Sequence, residues 1–191
     1  MRIGCPHAAA SWRATLGVRP APRQTMNYET QRHALILRVA DGLYAVPTER
    51  VRQIVHMAAL VSTPGQPSIL AGFLNLSGKA IPVIHLRRLF ELQAREPQIY
   101  TPLVIIESNG MTMALAADAV EEVLDFEPGS LQKLTEGSSL NNCGDALLTA
   151  GGREIVLLSC DSLLLTREKE CLAELQAVAD RRLSELGPLA E

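Results

Sequence analysis

GFLNLSGKAIPVIHL, residues 72–86, joins a glycine-bounded turn to a short apolar strand and supplies no catalytic group. Asn75 and Gly78 bracket a tight turn of the kind that tolerates positive φ, and residues 80–86 have the length and composition of a strand buried on at least one face. Pro82 constrains that strand. It has no N–H to donate to a ladder, so it predicts a sheet edge, a bulge, or a nitrogen turned away from the neighbouring strand. Small barrels, with many edges and corners, offer such places, and the stretch points to a binding module.

Outward from this block the chain reads as strands far more readily than as helices. Leu35, Leu37 and Val39 alternate with Ala34, Ile36 and Arg38, and the Asp41-Gly42 pair supplies a turn before LYAV, which together predict a hairpin. A second hairpin follows from LVIIE (103–107), the Asn109-Gly110 turn and MTMALA (111–116). Two hairpins of one design, so far apart, fit two similar subdomains, and IVLL (155–158), after Gly151-Gly152, is expected to complete the second sheet. Residues 86–90 suit a short helical turn, followed by a charged connector with two prolines. At the C-terminal end, residues 166–186 are rich in helix formers, with Leu172, Leu175, Ala179, Leu183 and Leu186 recurring along one face and Gly187-Pro188 as the stop. That face is expected to pack on the barrel; a partner-binding helix is the other reading.

The block of residues 72–86 also resembles the CheW family, the adaptor proteins of bacterial chemosensory arrays, in which a glycine, an NLRG turn and a hydrophobic strand follow one another. The order of the remaining segments agrees. HALILRVADGLYAVPTERVRQIV (33–55) is similar to the family's opening hairpin and first conserved helical turn, PGQPSILAGFLNLSG (64–78) to its central loop, MALAADAVEEVLDF (113–126) to its second-subdomain strand, and GGREIVLLSCDSLLL (151–165) to its last strand and the approach to the final helix. Several separated motifs in one order are more specific than one short match. The resemblance implies an all-β fold with a C-terminal helix: two small five-stranded β-barrels of the Src-homology-3 type sharing a hydrophobic core. The expected organisation is a flexible N-terminal tail over residues 1–30, a CheW-like domain over 31–165, and a helix and tail over 166–191.

Composition sets bounds on that reading. Hydrophobic residues are 47% of the 191 and charged ones 20%, ordinary for a folded protein, while aromatics are only 4%, so the core is built from aliphatic side chains and Met. No apolar stretch approaches the roughly 20 residues needed to cross a bilayer, so a soluble, cytoplasmic protein without direct membrane insertion is expected. Arg2, Arg13, Arg19 and Arg23 all precede the first acidic residue, Glu29; without them the chain carries 14 basic against 21 acidic side chains. Such a domain repels phosphates, and nucleic acid is not an expected partner. Residues 1–25 lack the continuous apolar core of a secretory signal. Either they form a flexible tail or translation starts at Met26, and under both readings they lie outside the fold.

Candidate chemistry is sparse. Cys5, Cys143, Cys160 and Cys171 form no CxxC pair, and His7, His33, His56 and His85 are isolated, so neither a metal site nor a cofactor is predicted. Asp118, Glu121, Glu122, Asp125 and Glu127 form the densest carboxylate cluster. Val120, Val123, Leu124 and Phe126 are interleaved with them, which reads as an element with an apolar and a solvated acidic face. No nucleophile, phosphate loop or metal spacing accompanies the cluster, so no catalytic residue is assigned. Asp118 matches a family aspartate and is expected to support local hydrogen bonding.

The resemblance implies a non-catalytic adaptor that bridges the regulatory domain of a CheA-type histidine kinase to the cytoplasmic tips of methyl-accepting chemoreceptors, located at membrane-associated arrays. By motif position the receptor-facing residues are Val51 and Gln53, with Gly72, Asn75, Ser77 and Gly78; kinase-contact residues are not assigned. Ser77 stands where the NLRG turn has arginine, and Gln53 where the family often has glutamate. If those two side chains pair in typical members, losing both leaves no unpartnered charge. His85 replaces the aspartate of the family's strand end and is expected at the surface. The departures favour a divergent adaptor, for instance one serving type IV pilus twitching motility. A stand-alone small-barrel interaction scaffold, or an array filler that binds kinase without receptor, is the alternative, because fold does not fix function.

Overall fold

A computed structural model describes residues 33–95, 97–134 and 143–186. The tail assigned to residues 1–30, with the Met26 alternative start, and the Gly187-Pro188 stop lie outside them. The chain is mostly β, with two sheets and one long C-terminal helix. Its strands are β1 (His33–Val39), β2 (Gly42–Pro47), β3 (Val51–His56), β4 (Leu60–Val61), β5 (Leu70–Leu76), β6 (Lys79–His85), β7 (Pro102–Ser108), β8 (Met111–Ala116), β9 (Ala119–Asp125), β10 (Leu131–Lys133), β11 (Gly144–Ala150) and β12 (Arg153–Leu158). The helices are α1 (Leu86–Leu89) and α2 (Thr166–Leu186). One sheet runs β10-β11-β12-β2-β1-β9 and the other β3-β7-β8-β6-β5-β4. Each holds five longer strands and one short one, β10 or β4.

The turn chemistry explains the hairpins. Three of them close through residue pairs in which both members have positive φ: Ser77 (52°) with Gly78 (83°), Asn109 (49°) with Gly110 (76°), and Gly151 (57°) with Gly152 (75°). That geometry matches the right-handed twist of the flanking strands. The first hairpin differs from the sequence expectation by one residue. Its loop is Ala40-Asp41, with Ala40 at φ 53° and Gly42 already paired to Val39.

The two sheets are interleaved along the chain. β1 and β2 pair with β9 to β12, whereas β7 and β8 pair with β3 to β6. The chain thus consists of two units, each a hairpin followed by four strands, and each gives its four strands to the other's hairpin. IVLL therefore completes the sheet of the first hairpin, through a parallel ladder between β12 and β2; β6 and β8 make the corresponding parallel ladder in the other sheet. Local pattern predicts strands but not parallel partners far away in sequence.

Alternation along the strands fills three apolar clusters. Ala34 and Ile36 enter a cluster inside the first sheet with Ala45, Leu148, Ile155 and Leu157. Leu35, Leu37 and Val39 point to the opposite face, into the largest cluster, which also takes Leu70, Phe73, Ile84, Val104, Ile106 and Leu115 from the second sheet. Leu74, Ile81, Val83, Leu103, Ile105 and Ala114 fill the interior of the second sheet. The largest cluster is thus a core shared by both sheets. Tyr44 and Phe90 stack within it, ring centroids 4.6 Å apart. Leu172 and Ala179 of α2 are buried in the same core, and Leu175 and Leu183 pack against it. The apolar stripe of the helix therefore faces the domain.

Pro82 sits in an interior strand, not an edge. The ladder from β6 to β8 starts only at Val83, so its nitrogen meets no partner strand. The third of the three options for that proline holds.

Candidate functional site

The six motif residues fall on two elements of the second sheet. Asn75, Ser77 and Gly78 form the exposed β5–β6 turn, where Asn75 Oδ1 accepts the Gly78 N–H at 3.0 Å. That bond holds the turn from within, as Asx side chains do. Gly72 is buried. A Cβ there would lie 2.9 Å from Leu60 Cβ and 3.1 Å from the Val61 carbonyl oxygen, and its φ is 147°. Its hydrogen lets β4 lie against β5, so it shapes the face without touching a partner.

Val51 and Gln53 lie on β3, which is an edge strand. Val51 is half-buried against the shared core, while Gln53 is exposed. Registers link Gln53 to Ile105, Ile105 to Ala114, Ala114 to Val83 and Val83 to Gly72, so the two parts of the motif share one row across the sheet. Among the described residues no hydrogen bond joins Gln53 to Ser77. Arg52, displaced by a bulge between Val51 and Gln53, pairs instead with Glu107. Beyond it, Ile54 is 46% exposed on the open edge.

β9 occupies in the first sheet the place of β3 in the second, with a bulge at the corresponding point. Val123 is accordingly 56% exposed, as Ile54 is. The predicted apolar face of this acidic element is therefore incomplete: Val120 and Leu124 pack inward, but the bulge turns Val123 out. The carboxylates are held in ion pairs. Glu122 bonds Arg153 at 2.6 Å, Glu121 lies 3.5 Å from Arg38, and Asp125 pairs with His33.

Asp118 does the local work expected of it, with a partner that sequence reading missed. Arg87 of α1 grips it through both Nε (2.8 Å to Oδ1) and Nη2 (2.7 Å to Oδ2), and the Ala40 N–H donates to Oδ2 at 2.6 Å. Burial opposes ionisation of Asp118, but the Arg87 and Ala40 hydrogen bonds and the charges of Arg87 and Arg95 outweigh it and hold the carboxyl below its ordinary value. The same bonds push the Arg87 guanidinium up.

A second hub binds Asp161: Arg50 Nη2 reaches it at 2.9 Å, the buried Ser108 hydroxyl donates at 2.7 Å, and Lys169 Nζ donates to its carbonyl oxygen at 2.6 Å. Arg50 directly precedes β3, so this hub fixes the base of the strand that carries Val51 and Gln53. No spacing signal connects residues so far apart.

His85 is buried, contrary to the surface position expected for it. Its Nε2–H donates to the Arg95 carbonyl oxygen at 2.8 Å and its backbone N–H to Ile69 O at 2.8 Å, because β6 is an interior strand that runs straight into α1. It lines a cleft of about 130 Å³ with Arg95, Tyr100, Thr101 and Asp118. That is small beside the roughly 300–1,000 Å³ of ligand pockets, and its carboxylate is already committed to Arg87. Among the described residues no group of three His, Cys, Asp or Glu side chains could hold a metal ion, and no helix is long and apolar enough to cross a membrane.

The model of the CheW-like domain matches residues 33–168, most of the chain. The chain belongs to the CheW-like domain family. Among its relatives are the chemotaxis protein CheW of Rhizobium meliloti, 24% identical over 73% of this chain and 91% of that protein, and the chemotaxis protein CheW of Helicobacter pylori, 26% identical over 54% and 63%. The crystal structure of the scaffolding protein TtCheW from Thermoanaerobacter tengcongensis superposes with a TM-score of 0.66 at 23% identity, covering 70% of this chain and 92% of that one. That likeness concerns the fold. The CheW-like match takes in both sheets and ends just inside α2, so most of that helix lies beyond it.

Proposed function

We propose that this CheW-like chain is a non-catalytic chemosensory adaptor that couples the cytoplasmic tips of methyl-accepting chemoreceptors to the regulatory domain of a CheA-type histidine kinase at membrane-associated arrays. The observation that carries this reading is the family match across both sheets, which includes the exposed turn of Asn75, Ser77 and Gly78 and the open edge strand with Val51 and Gln53. An adaptor needs surfaces rather than a cavity, and it controls a kinase only if its contacts differ between signalling states. Gly72 belongs to the receptor face by shaping it, and the other five by contact.

Ser77 supports a second reading. A serine hydroxyl cannot reproduce the planar donors of the motif arginine, so a filler that binds kinase without receptor fits the same chain. A specialised pathway such as type IV pilus twitching motility is the setting that these departures suggest.

A pull-down of the chain from Met26 against the CheA-type kinases and receptor cytoplasmic domains of its own organism, with Ser77→Arg alongside, tests both. Binding to kinase and receptor supports the adaptor, kinase alone supports the filler, and neither leaves a small-barrel scaffold. Tighter receptor binding by the variant places Ser77 in the contact.

A further inference from the structure

Ala80 opens β6 directly after the β5–β6 turn. Leu76 and Lys79 close the two-residue loop, and alternation along the antiparallel ladder then turns the backbone groups of Ala80 and Pro82 away from β5. On that flank β8 pairs only from Val83 onward. Pro82 has no N–H to satisfy. Ala80 does, and it is fully buried, so neither a strand nor water is there to accept.

The acceptor is Asp180 of α2, whose Oδ1 takes the Ala80 N–H at 2.6 Å. The helix that brings it there is anchored at several points. Leu172 and Ala179 are buried in the shared core, Glu168 Oε2 accepts the Leu165 N–H at 2.6 Å in the manner of a capping box, and Lys169 binds the Asp161 carbonyl oxygen. Asp180 lies beyond the residues that the family model matches.

We propose that Asp180 is a positioning residue for the β5–β6 turn: by holding the Ala80 N–H it fixes the attitude in which Asn75, Ser77 and Gly78 meet a partner. The α2 helix thereby substitutes for the stretch of β8 that is missing beside the start of β6. The consequence for binding rests on the reading of that turn as the receptor-facing surface.

The test compares the full chain with Asp180→Ala, Asp180→Gln, whose longer side chain moves the acceptor, and Asp180→Asn, which keeps an oxygen in place. The readouts are amide exchange at Ala80, affinity for a receptor cytoplasmic fragment, and affinity for the kinase regulatory domain. In the Ala and Gln variants the Ala80 amide exchanges about tenfold faster and the receptor fragment binds about three- to tenfold more weakly, while kinase affinity holds; Asn restores both. Unchanged Ala80 protection in both variants overturns the proposal, as does lost protection with unchanged receptor affinity when Asn75→Ala weakens that affinity. If Asn75→Ala and Ser77→Arg both leave receptor binding untouched, the turn is not the receptor face, and the positioning role stands or falls on Ala80 exchange alone.

Discussion

Arg87 and Asp118 clamp the two sheets together. Arg87 follows β6 of the second sheet, while Asp118 sits between β8 and β9, where the chain crosses to the first, and accepts the Ala40 N–H of the first hairpin loop. Asp118→Ala removes the acceptor of all these donors and is expected to cost about 1–2 kcal/mol, read by urea denaturation.

The same carboxylate gives a pH signature. Its folded-state value lies below the ordinary 3.8, so the unfolded chain binds the proton more readily. The contribution of Asp118 is complete above that ordinary value and is lost as pH falls through it toward the depressed folded one. Thermal unfolding of the native chain between about pH 5 and 3 is expected to lose more stability than Asp118→Asn does.

At the tip of the candidate receptor face, Ser77 holds φ 52° beside Gly78 at 83°. Asparagine tolerates that region better than serine and is favoured before glycine in such loops. Ser77→Asn is expected to stabilise by about 0.5 kcal/mol, and Gly78→Ala to destabilise by about 1 kcal/mol, measured as shifts in Tm.

Gly72→Ala meets two obstacles at once, a positive φ and the Leu60 side chain at 2.9 Å. A loss of about 2–3 kcal/mol in urea denaturation is expected. Exchange should rise first in β4.

Burial separates the cysteines. Cys143 and Cys160 are fully buried, and the Cys160 thiol is pushed up to about 12, chiefly by burial, whereas Cys171 is partly exposed. Site-resolved alkylation near pH 8 is expected to modify Cys171 while Cys143 and Cys160 stay protected until unfolding.

Much of the fold was legible because its signals are local. Asn109-Gly110 and Gly151-Gly152 announce their loops, and alternation from Ala34 to Val39 announces a strand. What escaped reading depends on distance in sequence. Nothing near Ile155 says that its neighbour is Leu43, nothing near Asp118 names Arg87, and His85 looked like a surface residue because a lone polar side chain gives no sign that its strand is interior. The candidate site was legible by motif only in part: Gly72 proved to be a spacer under Leu60, and Asp180, which holds Ala80, carries no motif at all.

The traded strands bear on how the molecule comes apart. With β3 to β6 seated on the hairpin of β7 and β8, and β9 to β12 on that of β1 and β2, neither half of the chain owns a finished sheet. Loss of either set exposes both interiors, so unfolding is a single cooperative event. A protease cut in the connector between α1 and β7 would leave two fragments interlocked and still folded, and the same connector, opened out between two molecules, is the natural hinge for a reciprocal dimer.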